Sequence, residues 1–446
     1  MITMRRASTA LRIIMVSLLV TLLAAQGSAQ IMTLEQCVDS ALANDRRVRM
    51  AALDEEMSTL RIGEAKAGLI PKVRGAAEFR HYTDLPYQLM PSSFFGGPEG
   101  AYRAVQFGTT QNINANLQAQ MPLYDPQVWG GIQMAREGDR IVGLQGERTR
   151  EAVVLEVSNV YYNLQIMNAR LAFLDSNVVN AEDLVRNTEL LHDQALARAS
   201  DVDRLRLQHA QLLTQRERAR SQYAQAMDAL RMLIGVPVDA PLEVTAPEAV
   251  LYTTAPTARL GTGVRTAEQA MRLKTAELQL VKRSRIPSLN ATGLYGTTGF
   301  GPIGAEDRYD YYPIGYFGVQ LQVPIFQGTV LGKRIKGKEL ELEHATLQRD
   351  VALERDALEH RAALRDEALA RRTLADSEAQ LELADRIRRS TLLQHGQGVA
   401  SLSDIVLADQ AFWDAQQNYI NALVDLRKAQ LELARINGTL LPTQRP

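Results

Sequence analysis

The sequence predicts a mainly α-helical protein that carries a membrane β-barrel, built from an internally duplicated chain. Three observations predict it: one order of elements occurs twice, strands of period two show a polar face, and long helices carry heptad seams. An apolar-patterned helix reaches Pro71 in Ala67-Gly-Leu-Ile-Pro-Lys-Val and Pro287 in Arg285-Ile-Pro-Ser-Leu, each followed by alternating residues. The alternation ends at Pro122 in Met-Pro-Leu-Tyr and at Pro324 in Val-Pro-Ile-Phe. A helical stretch of about seventy residues follows each, then a break at Arg198-Ala-Ser-Asp or Val399-Ala-Ser-Leu, then another helix. Repetition of this kind decides architecture before any single element does.

The copies differ in one place. Pro122 and Pro324 are 202 residues apart and Ser200 and Ser401 are 201 apart, whereas Pro71 and Pro287 are 216 apart. The excess lies in a longer loop around Pro86 to Arg103. Loops at hairpin ends tolerate insertion, and helical arms packed in register do not. The order divides the chain into a signal peptide at 1–29, a first-repeat helix at 30–70, a first β-hairpin at 71–124 and a first long helical hairpin at 125–235. An inter-repeat segment at 236–263 precedes the second helix at 264–286, the second β-hairpin at 287–326, the second helical hairpin at 327–438 and a tail at 439–446.

The first element opens with Arg5, Arg6 and Arg12, runs through the apolar Ile13 to Ala25 and ends in Gly27-Ser28-Ala29. That is the pattern of a secretory signal peptide, with an apolar stretch short of the ~20 residues a spanning helix needs. Without it the chain keeps 47 basic against 51 acidic residues and no basic stripe, which excludes a nucleic-acid partner. The lone Cys37 excludes an internal disulfide framework and reads as a helix-core thiol. Since no later apolar run reaches spanning length, an exported chain of this kind enters a membrane only as a closed β-barrel.

The strands carry that reading. From Val105 to Met121, Val105, Phe107, Ile113, Ala115, Leu117, Ala119 and Met121 alternate with a mostly amide row that includes Asn112, Asn114, Asn116, Gln118 and Gln120. The pattern predicts one strand of seventeen residues, longer than strands of soluble sandwiches run. Elsewhere Val73, Gly75, Ala77 and Phe79 oppose Arg74, Glu78 and Arg80, and Phe317, Val319 and Leu321 oppose Gln320 and Gln322. An apolar face toward lipid leaves Arg74, Glu78, Arg80, the Asn and Gln row, Gln320 and Gln322 to line the barrel lumen. Aromatics at the strand ends, such as Tyr82, Tyr102, Tyr309 and Tyr316, suit an interfacial girdle. Four strands cannot close a barrel that needs about eight, so several chains contribute to one wall.

The helices carry seams. Val153, Val157, Val160, Leu164, Met167, Leu171, Leu174, Val178, Ala181 and Val185 recur at alternating spacings of four and three, a heptad pattern. The matching arm has two interleaved rows, one through Leu347, Val351, Leu358, Ala362 and Leu369 and one through Leu353, Ala357, Leu364, Ala368, Ala375 and Ala379, and so is expected to touch two neighbours. At about 1.5 Å per residue such an arm spans roughly 100 Å. At the arm tips Ser200-Asp-Val-Asp203 and Ser401-Leu-Ser-Asp404 each begin a helix, where serine caps an orphan amide and the acid faces the positive helix end. In a ring of chains the same carboxylates converge on the tube end, where aspartate rings select cations.

Nothing in the sequence argues for an enzyme. Six histidines are scattered, no Gly-x-Ser-x-Gly or His-x-x-x-His occurs, and no catalytic, cofactor or metal set is expected. Gly332-Lys-Arg-Ile-Lys-Gly-Lys338 approaches a phosphate loop, but Glu339 stands where Ser or Thr would hold magnesium.

Together, Thr33-Leu-Glu-Gln-Cys-Val-Asp-Ser-Ala-Leu-Ala-Asn, the Leu-Ile-Pro and Arg-Ile-Pro helix ends, Met-Pro-Leu-Tyr, Val-Pro-Ile-Phe and the Ser-x-x-Asp tips resemble the TolC-like outer-membrane efflux family, the outer-membrane factors. The resemblance implies a homotrimer in the outer membrane, its twelve-stranded barrel continuous with a twelve-helix periplasmic tunnel. It implies docking on a periplasmic adaptor and an inner-membrane pump, in efflux or type I secretion. The periplasmic entrance would be Ser200, Asp203, Gly398, Ser401 and Asp404. Gly398 and Asp404 match the family tip, while Leu407 stands where some members place a second aspartate and Ala197 where many have glycine. Val244 to Thr257 resembles the equatorial belt. A periplasmic coiled-coil scaffold or adaptor that never spans the membrane is the alternative. Within the duct reading, drug efflux, metal efflux and protein secretion all fit, because substrate choice belongs largely to the inner-membrane partner.

Overall fold

A computed structural model describes residues 30–245, 260–303 and 308–440. The signal peptide, nearly all of the equatorial resemblance beyond Thr245 and the last residues of the tail lie outside the described residues. The chain divides into two units, one of residues 1–54, 143–267 and 349–446 and one of residues 55–142 and 268–348.

In the first unit, β1 (Gln30–Met32) leads into α1 (Leu34–Asn44). Thr33 and Gln36 form a reciprocal capping box, Thr33 Oγ1 accepting from the Gln36 amide and Gln36 Oε1 from the Thr33 amide. Parts of α2 (Arg46–Ala67), α3 (Pro126–Asp193) and α6 (Val330–Gly396) join α4 (Ala199–Ile234), β6 (Leu242–Val244) and α7 (Leu402–Ile436). Cys37, Val38 and Ala41 of α1 pack with Val153, Val157, Tyr161 and Leu164 of α3 and Leu230 and Ile234 of α4. β1 pairs in parallel with β6, and the Tyr161 hydroxyl donates to the Met32 carbonyl at 2.9 Å. Burial pushes the Cys37 thiol up to about 11. A second cluster, Leu174, Val178 and Ala181 with Leu212 and Ala219, continues the α3 seam along α4.

The α6 arm packs differently from its pattern. Its buried row is Ala363, Ala370, Ser377 and Ala384, spaced by seven, with Leu374 and Leu381 half-buried between them. Leu347, Val351, Leu358 and Leu369 stay exposed, and so do Ala357, Leu364, Ala368, Ala375 and Ala379, while Leu353 and Ala362 are half-buried. Neither expected row is therefore the one the chain itself buries. Small residues at 363, 370, 377 and 384 let this helix approach its neighbours closely, while other alanines along it stay exposed.

In the second unit, β2 (Lys72–His81), β5 (Gln111–Tyr124), β7 (Ser288–Ile303) and β8 (Arg308–Gln322) form an antiparallel sheet in the order β2-β5-β7-β8. The pairing Gly75 to Leu117 to Tyr295 to Gly315 fixes its register. β3 (Tyr87–Pro91) and β4 (Tyr102–Gln106) make a separate hairpin around a 3-10 turn at Ser92–Phe95, within the insertion that lengthens the first copy. The expected single strand from Val105 to Met121 is thus two. Gly108 takes φ +118, and the Thr109 hydroxyl donates 2.7 Å to Asn112 Oδ1, which turns the chain between β4 and β5. α5 (Thr262–Arg283) shares this unit in part, its Lys274 and Glu277 meeting Lys338 and Glu341 of α6 at 2.7–3.1 Å. Lys338, the last residue of the phosphate-loop-like run, is occupied in that ion-pair network.

Candidate functional site

Two places gather the residues the sequence singled out: the sheet of the second unit and the helix tips of the first. Residues directly opposite in neighbouring strands share a face, so the register sorts the sheet into two surfaces. One carries Val73, Phe79, Leu117, Tyr295, Phe317 and Leu321, and among the described residues no Asp, Glu, Lys or Arg shares it before the irregularity that pairs Ile303 with Arg308. These side chains are exposed in the single chain, Phe317 to 81% and Tyr295 to 72%. The other surface brings Arg74, Glu78, Arg80, Asn112, Asn114, Asn116, Gln118, Gln120, Gln320 and Gln322 together. There Arg74 Nε donates to Gln118 Oε1 at 2.9 Å, and Arg80 pairs with Glu78 at 2.7 Å. Among the described residues, the outer edges of β2 and β8 have no strand beside them.

At the tips, the structure places Ser401 as the N-cap of α7. Its hydroxyl accepts from the Asp404 amide at 3.2 Å, and Asp404 Oδ2 accepts from the Ser401 amide at 2.8 Å. Hydrogen bonds from Ser401 hold the Asp404 carboxyl below its ordinary value. Ser200 does not do the same. The N-cap of α4 is Arg198, without a side-chain cap, and Ser200 lies inside the first turn.

The reason is a register that the paired serines conceal. His192 Nδ1 meets the Ala197 carbonyl at 2.9 Å, and His395 Nδ1 meets the Ala400 carbonyl at 2.8 Å. Ala195 and Gly398 take the positive φ of the turn, 59° and 75°. Buried Val202 and Leu205 answer to buried Ile405 and Ala408. All these pairs are 203 apart, so the counterpart of Ser401 is Arg198 and that of Asp404 is Asp201. Ala195, and not Ala197, occupies the glycine position. The repeated histidines, 203 residues apart, carry this register in the sequence. Asp203 is 74% exposed and only 3.7 Å from Arg206, which also meets Glu189 at 2.7 Å. Arg204 Nη1 donates to Ser403 Oγ at 3.3 Å and so links the two tips.

The profile of the family described as outer membrane efflux protein matches residues 37–236. Outer membrane protein TolC of Salmonella enteritidis is 20% identical over 428 residues, covering 92% of this chain and 83% of the relative. The outer membrane protein VceC of Vibrio cholerae superposes with a TM-score of 0.73 at 14% identity, over 91% of this chain and 96% of that one. The open state of the MtrE outer membrane channel of Neisseria gonorrhoeae gives 0.71 at 16%, over 91% and 88%. At these identities the two structural likenesses speak for the fold.

Proposed function

Because the chain is a TolC-like protein of the outer membrane efflux family, seated in the outer membrane with a periplasmic extension, we propose that it is the passive exit duct of a tripartite efflux or type I secretion system. One observation supports this most: a four-stranded sheet with an apolar surface, a polar opposite surface and two open edges. Three such sheets joined edge to edge make a twelve-stranded barrel, apolar toward lipid and wet inside. Arg74, Glu78, Arg80 and the amide row then line its lumen. The exposed leucine rows of α6 face neighbouring chains in a helical tunnel. A periplasmic adaptor and an inner-membrane pump complete the pathway, and opening at the helix tips replaces bond chemistry.

The entrance in this reading is formed by Gly398, Ser401 and Asp404 of one tip and by Asp201, Ser200 and Asp203 of the other. A scaffold that never spans the membrane would leave Phe317, Tyr295 and Leu117 in water, which disfavours it. The test is conductance of detergent-extracted protein in a planar bilayer, with oligomer mass measured in the same detergent. Discrete channels from a trimer are expected, and reversing the charge at Asp404 or Asp201 shifts cation selectivity more than reversal at Asp414, which lies further along α7. A water-soluble, non-conducting rod would overturn the reading.

A further inference from the structure

Buried polar residues interrupt the apolar packing of α3, α4 and α7 at several levels, and at one of them two carboxamides face each other. Asn177 of α3 and Gln416 of α7 are 4% and 6% exposed, beside the cluster of Leu174, Val178 and Leu212. Asn177 Nδ2 donates to Gln416 Oε1 at 2.9 Å. Another buried amide of this unit is anchored differently: Gln165 donates to the Thr245 backbone carbonyl at 2.9 Å. The Asn177 to Gln416 bond instead joins two helices through side chains alone, so it survives at only one relative position of those helices.

A cavity of about 210 Å³ adjoins the pair, lined by Gln208, Gln211 and Gln215 of α4 and Gln410 and Gln417 of α7. Arg170 and Asp414 also border it, and Gln410 and Gln417 already donate within α7, to Asp414 at 3.1 Å and to Asn421 at 3.0 Å. Ligand pockets usually enclose about 300–1,000 Å³, and a water occupies about 30 Å³, so the space suits a few waters better than a solute. Each carboxamide offers two donors and an acceptor, and a layer of them can exchange partners as helices slide. An apolar seam offers no such second arrangement. Buried polar residues in coiled coils fix register at a cost in stability.

We infer that this amide layer is the two-state element on which opening of the helical end turns, Asn177 and Gln416 holding the resting register and Gln208, Gln211 and Gln215 of α4 taking over their bonds in the shifted one. The inference rests on the duct reading. The experiment compares wild type with the N177L/Q416L double variant and, separately, with Gln208→Met, in the same bilayer recordings and in thermal unfolding of the full-length oligomer. The double variant is expected to melt a few degrees higher and to open about tenfold less often, because apolar packing at rest has no shifted counterpart. Opening as frequent as in wild type, or more frequent, overturns the inference. Should the double variant fail to assemble, Gln208→Met decides: opening reduced several-fold supports the layer, and unchanged opening rejects it. Failure of the duct reading looks different, since wild type itself would then not conduct.

Discussion

At the scale of single residues, the two helix tips turn a similar sequence into different chemistry. Ser401 satisfies an amide that would otherwise be orphaned, whereas Ser200 sits one step inside its helix and caps nothing. Ser401→Ala should therefore cost about 1 kcal/mol of local stability and Ser200→Ala clearly less. Amide exchange at the first turns of α7 and α4 measures both, and equal effects would refute the assigned caps. Asp404 adds a pH dependence with a definite sign. Its carboxyl is held below the ordinary value by Ser401, so the charged form is favoured in the fold. The stabilisation is complete above the unfolded value near 3.9 and is lost as pH falls through the lower folded value. Protection of the α7 first turn should hold at pH 5 and weaken progressively as pH falls below about 4, and Asp404→Asn should abolish that dependence.

At the scale of elements, how much the sequence revealed depended on how much each pattern was forced. The α3 seam was legible because its valines and leucines are buried by the chain's own packing. The α6 contact was not, since alanines recur on several faces of this helix and the leucines among them point elsewhere. The polar sheet face could be read residue by residue, because a period of two allows only one face per residue. The break at Gly108 was hidden by alternation that resumes on its far side, although the lapse at Gln111 and the glycine marked it. The tip register was missed because two serines happened to fall 201 apart, close to the true 203. The sorted faces give a sharp prediction for β5. Leu117→Arg places a charge on the lipid side and should cost about 2–4 kcal/mol near the bilayer midplane. Asn114→Arg, on the wet side of the same strand and opposite Glu78, should be close to neutral. Yield of folded protein in outer-membrane fractions measures the contrast, and similar yields would mean that the sheet does not separate lipid from water.

At the scale of the whole assembly, the open sheet edges set the kind of symmetry available. β2 and β8 are different strands, so an edge-to-edge contact between copies joins unlike surfaces, head to tail. Such contacts close into a ring when the rotation permits and otherwise propagate as an open filament. Two chains already supply the eight or so strands a barrel requires and three supply twelve, so strand count admits a dimer as well as the trimer proposed above. Engineered cysteines can count the ring. Ala77→Cys on β2, combined in turn with cysteines at positions 315, 317, 319 and 321 of β8, scans the possible registers on the apolar face. Native Cys37 does not compete, being fully buried with its thiol pushed up to about 11, so little of it is the reactive thiolate at pH 8. At least one pair should give a ladder of monomer, dimer and trimer that stops there, because the third bond closes the ring and leaves no free edge. A ladder running past the trimer would mean open propagation, and no crosslink at any register would mean that the edges never meet.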